Sequence, residues 1–287
     1  TVFFVFVLIF AAVSFSADLF ADSLRVPADP VFESESYVKY IPFRKQENGS
    51  GKISITEASS EQSLELKTYK DLPVNVTVNT KYIGMNEATD RHFPGYLTTA
   101  GVDIDTTVPF FGVDKTFLNL GVNPSFYSDT WDFSASSFRI PLRAAFIYQC
   151  NSDLALLAGL DYYPGFENRY FPILGFIYKP DGKLAFNITT DNPNITYALS
   201  KKTDLFVEAN AYLDEEFNTT RDNVKNVTLE YREISIGGGI NHKVNSFLTA
   251  SLSVGDAIDR VIKYKNSPDV INIADGMYTE LKFNIKI

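Results

Sequence analysis

The sequence predicts an all-β chain, an antiparallel up-and-down transmembrane β-barrel of about 12 strands (roughly 10 to 14), preceded by an N-terminal signal peptide. Three observations predict it. From Gly51 onward apolar and polar residues alternate with a period of two, clusters of turn-forming residues separate the runs, and no helical periodicity is sustained past the N-terminal segment.

Composition narrows the classes. With 45% apolar and 21% charged residues in 287, the chain is not disordered. A net charge of −9 without clustered Lys or Arg gives no phosphate-tracking surface, so no nucleic-acid partner is expected. Aromatics reach 14%, with Phe 24 and Tyr 16 against a single Trp, which calls for a very large core or an interface to cover. The lone Cys150 excludes an intramolecular disulfide. No basic neighbour activates it, so it reads as a small apolar side chain.

The first element is residues 1–17. Val2 to Val13 is unbroken apolar sequence, shorter than the roughly 20 residues a helix needs to cross a bilayer, and the small residues up to Ala17 suit signal cleavage near Ser16 or Ala17. No Met or basic residue precedes the run, so its own start is expected upstream of Thr1. A buried helix and a retained anchor are the competing readings. Residues 18–50 form a leader in which Pro27, Pro30 and Pro42 break any long element, leaving room for one short strand before the barrel domain at 51–287.

Within that domain each run separates two faces. "LPVNVTVNTKY" sets Leu72, Val74, Val76, Val78 and Tyr82 against Asn75, Thr77, Asn79 and Lys81. "FRIPLRAAFIYQ" sets Phe138, Ile140, Leu142, Ala144, Phe146 and Tyr148 against Arg139, Arg143 and Gln149. "KLAFNIT", "LFVEANAYL" and "MYTELKFNIKI" repeat the pattern, placing Asn187, Glu208, Lys282 and Lys286 on polar faces. Pro180-Asp181-Gly182 reads as a tight hairpin, because proline fixes φ and glycine is free to take positive φ. Gly237-Gly238-Gly239, inside a strand pattern, signals a bulge or a close backbone approach. The polar stretches Gly84 to Gly101 and Glu215 to Asn226 read as long links at one rim.

A soluble sandwich and a membrane barrel both satisfy such a pattern. Runs of about 9 to 12 residues match a tilted strand crossing a bilayer better than a globular strand of about 5 to 6. Aromatics at strand ends, among them Tyr82, Phe138, Tyr148, Tyr162, Tyr163, Tyr170, Tyr178, Tyr212, Tyr231, Tyr264 and Tyr278, match interfacial girdles. In "RYFPILGFIY", Tyr170, Pro172, Leu174, Phe176 and Tyr178 are assigned to lipid, and Phe171, Ile173, Gly175 and Ile177 to a filled lumen.

Residues 134–287 resemble an uncharacterised family of bacterial outer-membrane-like β-barrel domains, through "RYFPILGFIYKPDGKLAF", "NITYALSKKTDLFVEANAY", "REISIGGGINHKVN" and "VGDAIDRVIKY". The resemblance implies a fold more than an activity. The last strand alternates Leu281, Phe283, Ile285 and Ile287, and so ends on an aliphatic residue where such barrels typically end on an aromatic one.

No reaction is read from the residues, so no enzyme, cofactor or metal site is expected. The only histidines are His92, in a polar loop with Asp90 and Arg91, and His242, four residues from Ser246 in a turn, a weak base and nucleophile pair. No metal-ligand spacing and no phosphate loop occurs. What remains is a polar face, Asn75, Asn79, Arg139, Arg143, Asn187, Glu208, Arg260 and Lys282, expected to point into the lumen. Two roles are open for it: residues that pair and fill a narrow barrel, or the lining of a solute path. Arg139 and Arg143 are expected to share a face and to need a partner such as Glu208, and Arg260 to sit at the rim or add another pair.

The expected function is therefore an outer-membrane barrel, in contact with membrane lipid, with a structural, envelope-interaction or passive solute-passage role. The alternative is a secreted soluble β-sandwich or lipocalin-like binding protein, glycosylated at sequons on Asn48, Asn75, Asn187, Asn194, Asn218 and Asn226. Asn75 and Asn187 lie in mid-strand on polar faces, where a closed lumen leaves no room for a glycan.

Overall fold

The computed structural model describes residues 24–25, 31–47, 51–68, 72–87, 93–131, 134–180, 182–221, 224–265, 267 and 270–287. The signal segment, most of the leader, Asn48 and His92 lie outside the described residues. The strands are β1 (Leu24–Arg25), β2 (Phe32–Lys45), β3 (Lys52–Thr68), β4 (Pro73–Glu87), β5 (Tyr96–Pro109), β6 (Thr116–Val122), β7 (Ser125–Ser128), β8 (Phe138–Arg139) and β9 (Leu142–Gln149). They continue as β10 (Leu154–Tyr162), β11 (Tyr170–Tyr178), β12 (Leu184–Thr189), β13 (Asn194–Ala198), β14 (Thr203–Arg221), β15 (Val224–Lys243), β16 (Leu248–Tyr264), β17 (Val270–Ile273) and β18 (Gly276–Lys286).

Fourteen of these strands close into one antiparallel barrel. The ring runs β2, β3, β4, β5, β6, β9, β10, β11, β12, β13, β14, β15, β16, β18 and back to β2. Closure leaves no open backbone edge. The count exceeds the expected dozen because β12 and β13 span only 6 and 5 residues, well under the even allotment per strand behind that estimate.

The barrel also starts earlier than Gly51. β2 pairs with β18 from Glu33↔Lys286 to Thr279↔Tyr40 and with β3 along most of its length, so the second half of the leader is barrel wall. Pro42 is tolerated there because it falls at the register shift between Ile41 and Arg44, where the ladder is already interrupted. The polar stretch after Glu215 is likewise strand. Glu216↔Glu230 and Asn218↔Thr228 are ladder pairs, so backbone pairing overrides the loop-like composition, and β4 and β5 similarly extend into the expected link, to Glu87 and from Tyr96.

Unequal strand lengths create two tiers. β14, β15 and β16 run for 19, 20 and 17 residues, far beyond β12 and β13. Their upper halves join a second, narrower ring made of β2, β3, β4, β5, β7, β14, β15, β16 and β17. β7 meets β14 in parallel at Ser128↔Asn218. β17 meets the end of β2 through the Gln46↔Ile273 bridge, and the Ala274 N–H donates to the Lys45 carbonyl at 3.0 Å. Among the described residues the wide tier thus has fourteen strands and the narrow tier nine.

The apolar core fills the narrow tier. Ile41, Ile55, Ile83, Leu97, Phe217, Leu229, Ile262 and Ile271 are buried there, and the 163–169 link inserts Phe166 edge-on to Tyr127, with ring centroids 5.3 Å apart. The hairpin turns between β9 and β10, β13 and β14, and β15 and β16, and the Phe32 and Ile287 ends that bond each other at 3.0 and 2.9 Å, lie at the opposite, short-turn end.

Candidate solute passage

In the wide tier the two faces of the wall are chemically opposite. Its outside exposes Phe146, Leu156, Leu174, Val207, Ile236, Leu252 and Leu281, bounded on one side by Tyr148, Tyr178 and Tyr197 and on the other by Tyr40, Phe138 and Tyr170. β10 and β11 are 9 residues each, which at about 45° tilt is the span of a bilayer core. An apolar belt between two aromatic girdles is what a closed barrel turns toward hydrocarbon. The girdle assignment fails for Tyr163, Tyr212, Tyr231, Tyr264 and Tyr278. These point inward, and Tyr231, Tyr264 and Tyr278 are buried; Tyr264 lies beyond the β16 bulge at Asp259, whereas Tyr212 and Tyr278 continue the inner alternation of their own strands.

In β11 the outer set is Tyr170, Pro172, Leu174 and Tyr178, all exposed, and Ile173 is buried. Gly175 stands where a Cβ would run into the Ile188 carbonyl on β12, at φ +155, so no side chain fits at this crossing. Close approach also explains Gly237 and Gly239, which lie against Tyr278 and against the backbone of β16.

The inside carries the ionisable groups. Directly beneath the apolar core, Lys39 lies 2.9 Å from Glu57 and 2.8 Å from Glu233, with Lys39 and both carboxylates almost fully buried. Tyr212 donates to Glu57 at 2.6 Å, Tyr37 donates to the same oxygen, and Tyr231 donates to Glu233 at 2.7 Å. Lys81 pairs with Glu215 at 2.6 Å and lies over the Tyr212 ring. This charged layer floors the narrow tier.

The interior of the wide tier opens into two polar cavities. One, of about 240 Å³, is lined by Asp103, Asp105, Asn119, Arg143, Asp161 and Tyr163. The other, of about 350 Å³, is lined by Glu35, Asp204, Phe206, Glu208, Lys243 and Lys282 among others.

The residues singled out from sequence fall as follows. Asn75 donates to Asp105 at 3.2 Å, and Asn79 pairs in register with Gly101, half-buried. Asn187 donates to the Asn192 carbonyl at 3.0 Å. Lys282 sits 3.5 Å from Glu35 and 3.8 Å from Glu280, and Lys286 pairs with Glu33. Arg143 holds Asp161 through two hydrogen bonds of 2.8 Å and lies 3.4 Å from Asp191, so Glu208 is not its partner.

Arg139 and Arg143 do not share a strand. The chain breaks at Ile140-Pro141, and Arg139 turns back to the carbonyls of Ser136 and Phe138 at 2.8 Å. Proline removes the donor that would have continued the ladder. Arg260 is not at a rim either. A bulge with Asp259 at φ +48 swings it inward, where it is 1% exposed and donates to the Ala274 carbonyl. Asp259 stays outside and pairs with Arg232.

The sequence pattern missed Lys39, Glu57, Glu233, Asp103, Asp105 and Asp161. Asp103 and Asp105 alternate with Val102 and Ile104, the same period-two signal used elsewhere. Lys39 lay in the leader.

His242 Nδ1 and Thr203 Oγ1 are 3.1 Å apart at an exposed strand end, and Ser246 is exposed in the following turn. The carboxylates of Glu167, Glu216 and Glu230 approach within 4.8 Å of one another, but Lys265 lies 3.4 Å from Glu216 and Lys263 2.5 Å from Glu230, so the group is an ion-pair network.

Among solved structures, the chain is similar to an outer membrane channel from Pseudomonas putida F1 at 10% identity and a TM-score of 0.46, covering 93% of this chain and 98% of that one. It is similar to the deltaS2S3 mutant of the monoaromatic hydrocarbon channel TodX at 8% identity and a TM-score of 0.44, covering 91% and 90%. It is also similar to the KdgM porin at 9% identity and a TM-score of 0.32, covering 88% and 99%. No curated protein matches. The family described as a domain of unknown function, DUF6268, matches residues 36–270, and the chain belongs to it.

Proposed function

We propose that this chain is an exported outer-membrane barrel through which small polar solutes pass without any reaction. The observation that carries the reading is the pairing of an apolar outer belt with a polar, cavity-containing interior in one closed wall. Leaving a single large apolar side chain in water rather than burying it costs about 1.5–3 kcal/mol, and the belt exposes many. A secreted soluble protein would have to solvate that belt, which disfavours the alternative.

The apolar core of the narrow tier blocks the barrel axis, so the path bends. It enters at the short-turn end, the periplasmic side of such barrels, and leaves where fourteen strands step down to nine, beside Asn123, Pro141 and Tyr163, which line the smaller cavity. The test is twofold. The protein should partition into detergent-extracted membranes and shift on gels after boiling, and purified protein should conduct in planar bilayers. Release by carbonate with no shift would overturn the barrel in a membrane; a heat-modifiable barrel without conductance would overturn the passage.

A further inference from the structure

The passage carries an uneven charge, and the unevenness is concentrated at one station. In the smaller cavity Asp103, Asp105 and Asp161 face a single cation, Arg143. That cation is already committed: both of its hydrogen bonds at 2.8 Å go to Asp161, and Asp191 approaches it at 3.4 Å. A guanidinium held in this two-pronged way is neutralised by its carboxylate. Asp103 and Asp105 are then left over. They stand two apart on the inner face of β5, in register with Thr77 and Asn75, and neither has a salt-bridge partner within 4.0 Å among the described residues. Asp105 accepts one neutral hydrogen bond, from Asn75.

The larger cavity leans the same way. Glu35, Asp204 and Glu208 line it with Lys243 and Lys282; Lys282 is taken up by Glu35 and Glu280, which leaves Asp204 and Glu208 facing Lys243. A passing anion would meet carboxylates at both stations, and a cation would find a counter-charge at each. Fixed carboxylates lining a narrow pore select cations by this means.

Resting on the passage reading above, we infer that the passage selects cations and cationic solutes, and that Asp103 and Asp105 set the preference. Arg143 is a positioning residue: it holds Asp161 and so leaves the β5 pair uncompensated.

The experiment is reversal potential in planar bilayers across a KCl gradient, with gel heat-shift as the folding control. Wild-type protein is expected to favour K⁺ over Cl⁻. Asp103→Asn with Asp105→Asn should reduce that ratio about fivefold, the equivalent of removing about 1 kcal/mol of attraction at the station. Should the double variant fail to give a heat-modifiable barrel, each single variant is read instead and should lower the ratio by a smaller factor. A conducting wild type that favours Cl⁻, or folded variants that keep the full K⁺ preference, would overturn the inference and leave the passage standing. Absence of any conductance would remove the passage itself, and the inference with it.

Discussion

Lys39 and Glu57 form an ion pair of 2.9 Å at the boundary between the two tiers, at 3% and 0% exposure. Neither group is solvated, so each depends on the other and on Glu233 for its charge to be tolerable. Lys39→Met removes the cation and leaves two buried carboxylates facing each other's field. The expected cost is about 3–5 kcal/mol, the loss that follows when one partner of a buried pair is deleted. It should appear as a lower urea midpoint for the boiled-to-unboiled gel shift. A variant as stable as wild type would show that the layer is hydrated.

Gly237 sits beneath Tyr278. A Cβ added there would collide with the phenol oxygen and lie 2.9 Å from the Val254 carbonyl, on the neighbouring strand β16. Gly237→Val should therefore hinder closure of β15 against β16 and yield less heat-modifiable barrel. Truncating the ring relieves only the first of the two contacts, so Gly237→Ala should assemble better in a Tyr278→Ala background than alone. Equal assembly in both backgrounds would place the constraint on the backbone.

How much of this was legible follows from which forces act locally. Alternation in "LFVEANAYL" is a local property, because period-two geometry forces Leu205 and Val207 to one side and Phe206 and Glu208 to the other, and Leu205 and Val207 are indeed exposed. The narrow tier was not legible. It arises because β14 continues past the belt and finds β7, while β17 bridges to the end of β2, which are pairings between residues far apart in sequence. Arg260 shows the same limit at one residue: a bulge at Asp259 turns it from the wall into the interior, and nothing in "GDAIDRVIKY" distinguishes that bulge from regular strand. Lys39 was hidden by its prolines, which marked a leader where the fold uses a wall strand.

Leu252 is 50% exposed in the middle of the belt, between Ile240 on β15 and Leu281 on β18. Leu252→Arg places a charge where the reading puts hydrocarbon, with an expected cost of about 2–4 kcal/mol near the bilayer midplane. The same change on a soluble sandwich would be near neutral. Refolding yield into lipid vesicles, compared with Leu252→Ala, separates the two. A fully assembled Leu252→Arg barrel would argue that this face never meets lipid.

Phe166 comes from the 163–169 link, is 3% exposed, and packs against both Tyr127 and Tyr163, with ring centroids at 5.3 and 5.5 Å. The link passes beside β14, where the Glu167 N–H bonds Glu216. Phe166→Ala should cost about 3–5 kcal/mol of packing. Because the wide tier closes through its own ladder, that loss should fall on the narrow tier alone and loosen the link. The expected result is faster cleavage within 163–169 by added protease with an unchanged heat-shift of the barrel, since local opening follows the local contacts. If cleavage and heat-shift change together, the two tiers unfold as one unit.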